Sequence, residues 1–134
     1  MSRNKTFLAL DVGEKRIGVA FGDDAVRIAM PYDTLEVDGG EIGRIAKLVV
    51  DENVDTIVVG YPRNQSGEPT AQTEYVENFA KQLTDMAPHM VFQDESLTSV
   101  LAEQQLKSYD RPYTKGDIDA RAAAIILQDY LERL

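Results

Sequence analysis

Apolar residues fall in short, bounded runs along this chain, and their spacing changes from one run to the next. Residues 6–10 form an apolar stretch of strand length closed by Asp11, and residues 17–21 resume in strand-like composition after Gly13 permits a turn. The pair predicts a hairpin with a carboxylate at its open end. Residues 28–36 read as a third strand. Pro31 places it at an edge or an irregular position, because proline has no amide to give a ladder. Over 41–52 the period switches: Ile42, Ile45, Ala46, Val49 and Val50 recur at close to 3.6 residues and predict one buried helical stripe. Thr56-Ile57-Val58-Val59 has the β-branched look of a buried parallel strand, and residues 60–70 form a polar loop. Val76, Phe79, Ala80 and Leu83 mark one side of a helix over 71–84. Met90-Val91-Phe92-Gln93 is the last strand and runs directly into Asp94-Glu95. Helices over 98–107 and 118–132 close the chain, separated by a loop through 110–116.

Three strands that meander antiparallel, followed by strand-helix-strand units, make a mixed five-stranded α/β sheet with helices on both faces. With 134 residues, 43% of them hydrophobic, the chain has the size and the apolar content of one domain spanning 1–134. No repeat, low-complexity stretch or linker divides it. In such sheets ligands gather beyond the carboxyl ends of the parallel strands, and Asp11 and Glu95 both fall at strand carboxyl ends.

Composition removes several classes of function. No run approaches the roughly 20 apolar residues that cross a bilayer, and no cleavable leader pattern opens the chain, so a cytoplasmic protein without a membrane partner is expected. There is no cysteine, hence no disulfide, thiolate nucleophile or Cys-based zinc site. The one histidine, His89, stands just before a strand, where an exposed loop position is the ordinary reading. No Gly-x-Ser-x-Gly elbow accompanies it. The formal charge of −9 argues against a general basic face for nucleic acid, while leaving room for local basic contacts and bound divalent cations.

The carboxylates carry the chemistry. A lone desolvated aspartate is expensive, so Asp11 must be paired, hydrogen-bonded or bound to a cation, unless it merely initiates the turn. Asp119 shares a helical face with Ala122, Ala123, Ile126 and Tyr130, the apolar side of the last helix, whereas Asp117 points elsewhere and reads as a helix N-cap. Of Asp94 and Glu95 only one points inward, since alternate residues of a strand face opposite sides, and Glu95 is the better candidate. Asp11, Glu95 and Asp119 form an all-oxygen set of the kind Mg2+ or Mn2+ prefers. A pair of such ions about 4 Å apart activates water and stabilises the leaving oxygen in phosphodiester hydrolysis. Lys15, Arg16 and Arg63, on loops beside this site, are candidates for phosphate contact, and Asn64, Gln65 and Ser66 for sugar or phosphate.

These motifs together resemble the YqgF (RuvX) family, Holliday junction resolvase-like proteins of the ribonuclease H-like superfamily described as candidate pre-16S rRNA nucleases. The resemblance spans essentially the whole chain. It rests on Asp11-Val12-Gly13 with Lys15-Arg16-Ile17-Gly18-Val19-Ala20, on Val58-Val59-Gly60-Tyr61-Pro62, on Asp94-Glu95 with Leu97-Thr98, and on Asp119-Ala120 leading to Ala122-Ala123 and Ile126-Leu127-Gln128-Asp129-Tyr130-Leu131. It implies a ribonuclease H-like nuclease domain in which Asp11, Glu95 and Asp119 correspond to the acidic catalytic and metal site, and Lys15 and Arg16 to the basic hairpin turn. Two positions depart: Ser96 stands where the family commonly has arginine, and Tyr61 where it usually has leucine. The implied partner is structured nucleic acid, first a ribosomal RNA precursor met free or on a ribosomal particle, second a four-way DNA junction. The protein would act as a monomer or a homodimer. A non-catalytic binding module is the alternative that net acidity and Ser96 favour. A strand-Asp-x-Gly hairpin also opens the actin and sugar-kinase ATPases, but those close two domains around the nucleotide, and this chain has residues for one and no P-loop.

Overall fold

Strands whose residues alternate between two apolar surfaces need cover on both, and the helices of this chain are divided to supply it. The computed structural model describes residues 4–62, 70–95, 98–109 and 112–134, apart from the side chains of residues 98–100. Among these, the order is β1 (Thr6–Val12), β2 (Arg16–Asp23), β3 (Met30–Glu36), α1 (Glu41–Asp51), β4 (Val54–Tyr61), α2 (Ala71–Lys81), β5 (His89–Asp94), α3 (Thr98–Lys107) and α4 (Lys115–Leu131). The strands form one mixed sheet in the order β3-β2-β1-β4-β5. β1 and β3 run antiparallel to β2, while β4 is parallel to β1 and β5 to β4. This is the predicted architecture, with Pro31 on an edge strand as its missing amide requires. Among the described residues no helix is long and apolar enough to cross a membrane.

On one face Leu8, Leu10, Val12, Ile57 and Val59 pack with Ile45 and Val49 of α1 and Val76 and Phe79 of α2. On the other, Phe7, Ala9, Ala20 and Val58 pack with Ala123, Ala124, Ile126, Leu127 and Leu131 of α4. Small residues let α4 come close. A β carbon added at Gly18 of β2 would collide with the backbone carbonyl of Asp119, so the first turns of α4 lie directly on that strand.

Several boundaries and orientations differ from expectation. β1 continues through Asp11 to Val12, because backbone pairing of Asp11 with Gly18 takes no account of side-chain charge. Val12 pairs with Ile17 and the Gly13 amide donates to the Arg16 carbonyl at 3.0 Å, so Asp11 stands at the closed, turn end of the hairpin and not at its open end. β3 starts at Met30 because the Ala29 amide and the Arg27 carbonyl are both taken by the Gln128 side amide of α4. Val50 is 77% exposed: the buried stripe of α1 runs through Ile45 and Val49, and Val50 falls past its edge. α2 ends at Lys81, with Leu83 still buried beyond it. His89 opens β5 itself and is exposed. Asp117 is not the N-cap of α4. Thr114 is, and Asp117 completes its capping box by accepting from the Thr114 amide at 2.9 Å.

Candidate active site

Leu10 and Val12 point to the α1–α2 face, so by strand alternation Asp11 between them points to the α4 face. The same rule operates on β5. Val91 packs on the α4 side, Met90 on the other, so Glu95 continues the first series and Asp94 the second. Phe92, in the Asp94 series, meets the Tyr61 ring edge-on, with centroids 5.0 Å apart. Between β1 and β5 lies β4, and Gly60 is its residue at the crossing. A β carbon there would sit 2.5 Å from Glu95 Oε2 and 2.7 Å from Ile126 Cδ1, so the missing side chain is the space in which the Glu95 carboxyl lies.

Through that space Glu95 reaches Asp11, and the two carboxyls share a hydrogen bond. Burial, then the Asp11 charge and this bond, push the Glu95 carboxyl up to about 9. Burial also raises Asp11, and the nearby Asp119 charge adds to it, while the Glu95 hydrogen bond opposes the rise. Two close carboxyls cannot both ionise cheaply, so Glu95 keeps a proton and donates it to Asp11.

Asp119 is the third member, in the early turns of α4 over Gly18. Its Oδ2 accepts from Arg16 Nε at 2.7 Å, across 103 positions of sequence. Asp119 and the Asp119 bond raise the Arg16 guanidinium further above its usual range. The predicted trio therefore divides into a proton-sharing pair and a carboxylate already paired with a cation. Among the described residues no three acidic, histidine or cysteine side chains stand as one ready group of metal ligands. Lys15 is exposed on the turn beside the site, whereas Arg16, expected to contact phosphate, is engaged by Asp119. Arg63, Asn64, Gln65, Ser66 and Ser96 lie outside the described residues.

Sequence reasoning missed the residues that build the site from behind. Gly18 and Gly60 make room for Asp119 and Glu95, and glycine inside a strand run was the signal for both. Gln72, at the start of α2, donates from Nε2 to the Val12 carbonyl at 3.0 Å and ties the end of β1 to the helix, a contact no local pattern announces.

Residues 5–133 match the family model described as RuvX, Holliday junction resolvase. The chain belongs to the RuvX family. Relatives bear this out along its length. A protein of Chloroflexus aurantiacus, provisionally named a pre-16S rRNA nuclease, is 45% identical over 96% of this chain and 88% of its own. One of Synechocystis with the same provisional name is 41% identical over 98% of this chain and 90% of its own. Among solved structures, Thermus thermophilus RuvC superposes with a TM-score of 0.55 at 12% identity, covering 96% of this chain and 95% of that one. The fowlpox virus resolvase in complex with Holliday junction DNA superposes at 0.58 and 11%, covering 96% and 97%. At such identities these two establish the fold, which is ribonuclease H-like. RuvX membership supplies the class of enzyme, a hydrolase of the nuclease type.

Proposed function

We propose that this RuvX nuclease cuts phosphodiester bonds in a structured ribosomal RNA precursor in the cytoplasm, using divalent Mg2+ or Mn2+ held by Asp11, Glu95 and Asp119. The observation that carries the reading is the Asp11–Glu95 pair. Two carboxyls are brought together on the α4 face of the sheet, where one must stay protonated, and a glycine in β4 keeps space for them. An all-oxygen acidic donor set suits a hard divalent ion, whose charge replaces the shared proton. When bound, such ions supply an activated water and a counter-charge for the leaving oxygen.

The chain's own groups have distinct tasks. Asp11, on a central strand, would be the rigid anchor of a bound ion, and Glu95, whose carboxyl is held up to about 9, would have to lose its proton to join it. Asp119 brings a third charge from α4. Lys15, exposed on the adjoining turn, is assigned a phosphate contact, and Arg63 and Asn64 are assigned to the same strand of nucleic acid on sequence grounds. The relatives' provisional name supports precursor ribosomal RNA as the substrate. Four-way DNA is the second reading, favoured by the family's description as a Holliday junction resolvase.

Purified protein assayed with Mn2+ on a 16S precursor fragment, matched single strands and a four-way junction tests the proposal. The precursor is expected to be cut fastest. Asp11→Asn is expected to lower cleavage at least about a thousandfold with an unchanged circular dichroism spectrum. Wild-type protein that neither binds Mn2+ nor cuts any of the substrates would make the chain a binding module instead.

A further inference from the structure

The third carboxylate of the site already carries a cation of the protein's own, and the form of that contact is informative. Arg16 reaches Asp119 through Nε alone, at 2.7 Å, and its two terminal nitrogens take no part in the pair. A guanidinium used to staple two elements together usually grips a carboxylate by the two-point fork, which adds both strength and geometry. Here the grip is single, and the side chains are 32% and 23% exposed, so water screens the pair and its breaking costs little. The backbone at both ends is held independently of the pair. Arg16 opens β2, its carbonyl taken by the Gly13 amide, and Asp119 rests on Gly18. Either side chain can therefore turn away without unpacking the hairpin or α4.

We propose that Arg16 is an exchangeable counter-ion: its guanidinium holds Asp119 until a divalent cation takes that carboxylate, and once released it binds a substrate phosphate. One side chain then links metal loading to substrate grip. This rests on the assignment of Asp11, Glu95 and Asp119 as metal ligands. The charges support the order of events. While the site lacks a cation, Asp119 is the acidic group that Arg16 directly contacts, and Glu36 opposite it on β3 adds attraction. A divalent ion brings twice the charge to Asp119, and the arginine so displaced stands next to Lys15, which is exposed on the hairpin turn, so two cations are offered together to a phosphate. Arg16 is thus a positioning residue for Asp119 before it is a phosphate ligand.

Calorimetric titration with Mn2+ alone tests the exchange, using wild type, Arg16→Gln, Arg16→Lys, Asp119→Asn and the Arg16→Gln/Asp119→Asn double variant. Arg16→Gln is expected to tighten Mn2+ binding about three- to tenfold, since the ion no longer displaces a charge-assisted hydrogen bond. Arg16→Lys is expected to return affinity toward wild type. In the Asp119→Asn background the effect of Arg16→Gln should vanish, because the competition runs through that carboxylate. Fluorescence anisotropy with a labelled precursor RNA gives the other half: Arg16→Gln should weaken RNA binding with Ca2+ present, to slow turnover, and leave it nearly unchanged with no divalent ion. Unchanged or weaker Mn2+ binding in Arg16→Gln would overturn the exchange, as would equal tightening with and without Asp119, which would be plain through-space charge. RNA binding weakened equally with and without Ca2+ would overturn the handover to phosphate. Wild-type protein that binds no Mn2+ at all would instead bring down the assignment of the metal ligands, and the exchange with it.

Discussion

The two faces of the sheet solve different problems. Against α1 and α2 the core is made of volume: Leu8, Leu10, Ile17, Ile45, Ile57 and Leu83 are all fully buried, each contributing about 1.5–3 kcal/mol by leaving water. Against α4 the sheet offers Ala9, Ala20, Gly18 and Gly60, and the helix answers with Ala120, Ala122, Ala123 and Ala124. Between the larger Phe7, Ile126 and Leu127, these small residues bring the helix near enough for the Asp119 charge to act on Asp11. The carboxylates Asp11, Glu95 and Asp119 are all on this second side. A site that needs charges from three distant parts of the chain within a few ångströms is better served by close backbones than by large side chains, and rigid elements fix it better than loops.

The sharpest way to break this contrast is Gly18→Val. Its side chain would enter the space of the Asp119 carbonyl, and what must yield is backbone on both sides. A loss of at least about 3 kcal/mol in denaturant unfolding is expected, with Mn2+ affinity lost in whatever folds, since Asp119 is carried off the strand. Ile45→Ala makes the matched test on the opposite face. Ile45 is fully buried in α1, and its truncation should cost about 2–4 kcal/mol while leaving Mn2+ affinity of the folded protein unaltered. Equal damage to metal binding from both variants would mean that the two faces are not separable.

How much of this was legible in the sequence depends on the range over which each feature is encoded. Strand faces are local. The alternation that sends Leu10 and Val12 one way sends Asp11 the other, and on β5 it separates Glu95 from Asp94, with Glu95 falling in the series that packs toward α4. The helical phase of Asp119 is local too, and it led to the α4 face. The pairing of Arg16 with Asp119 is not, because 103 residues separate them and nothing near Arg16 distinguishes an internal partner from a phosphate. The start of α4 was misplaced for a different reason. Lys115-Gly116-Asp117 carries no apolar phase, yet the Thr114-x-x-Asp117 box that begins the helix was present in plain sight. Val50 shows the converse error: a stripe drawn from apolar identity alone is wider than the surface a neighbour covers.

The smallest expected effect is a gain in stability, and it tests the site face without touching its packing. With no cation present, the folded chain keeps a proton on Glu95 up to about pH 9, whereas the unfolded chain releases it near its ordinary value of 4.5. Between those values the folded state binds more protons, so stability must fall as pH rises. The contribution is whole below about pH 4.5 and gone above about 9. The raised Asp11 carboxyl adds in the same direction. Glu95→Gln keeps the shape and a donor toward Asp11 but has no proton to lose. Its melting temperature should match wild type near pH 5 and exceed it by at least about 3 °C at pH 8.5, measured in chelator. Mn2+ should reverse the order, because wild type has two carboxylates to offer the ion and the variant has lost one, so saturating metal raises the wild-type melt more. A variant less stable than wild type at pH 8.5 without metal would mean that the Asp11–Glu95 hydrogen bond stabilises more than its buried charge costs. The α4 face would then be an ordinary core with polar groups in it, and the division of labour between the two faces would fail at its most sensitive point.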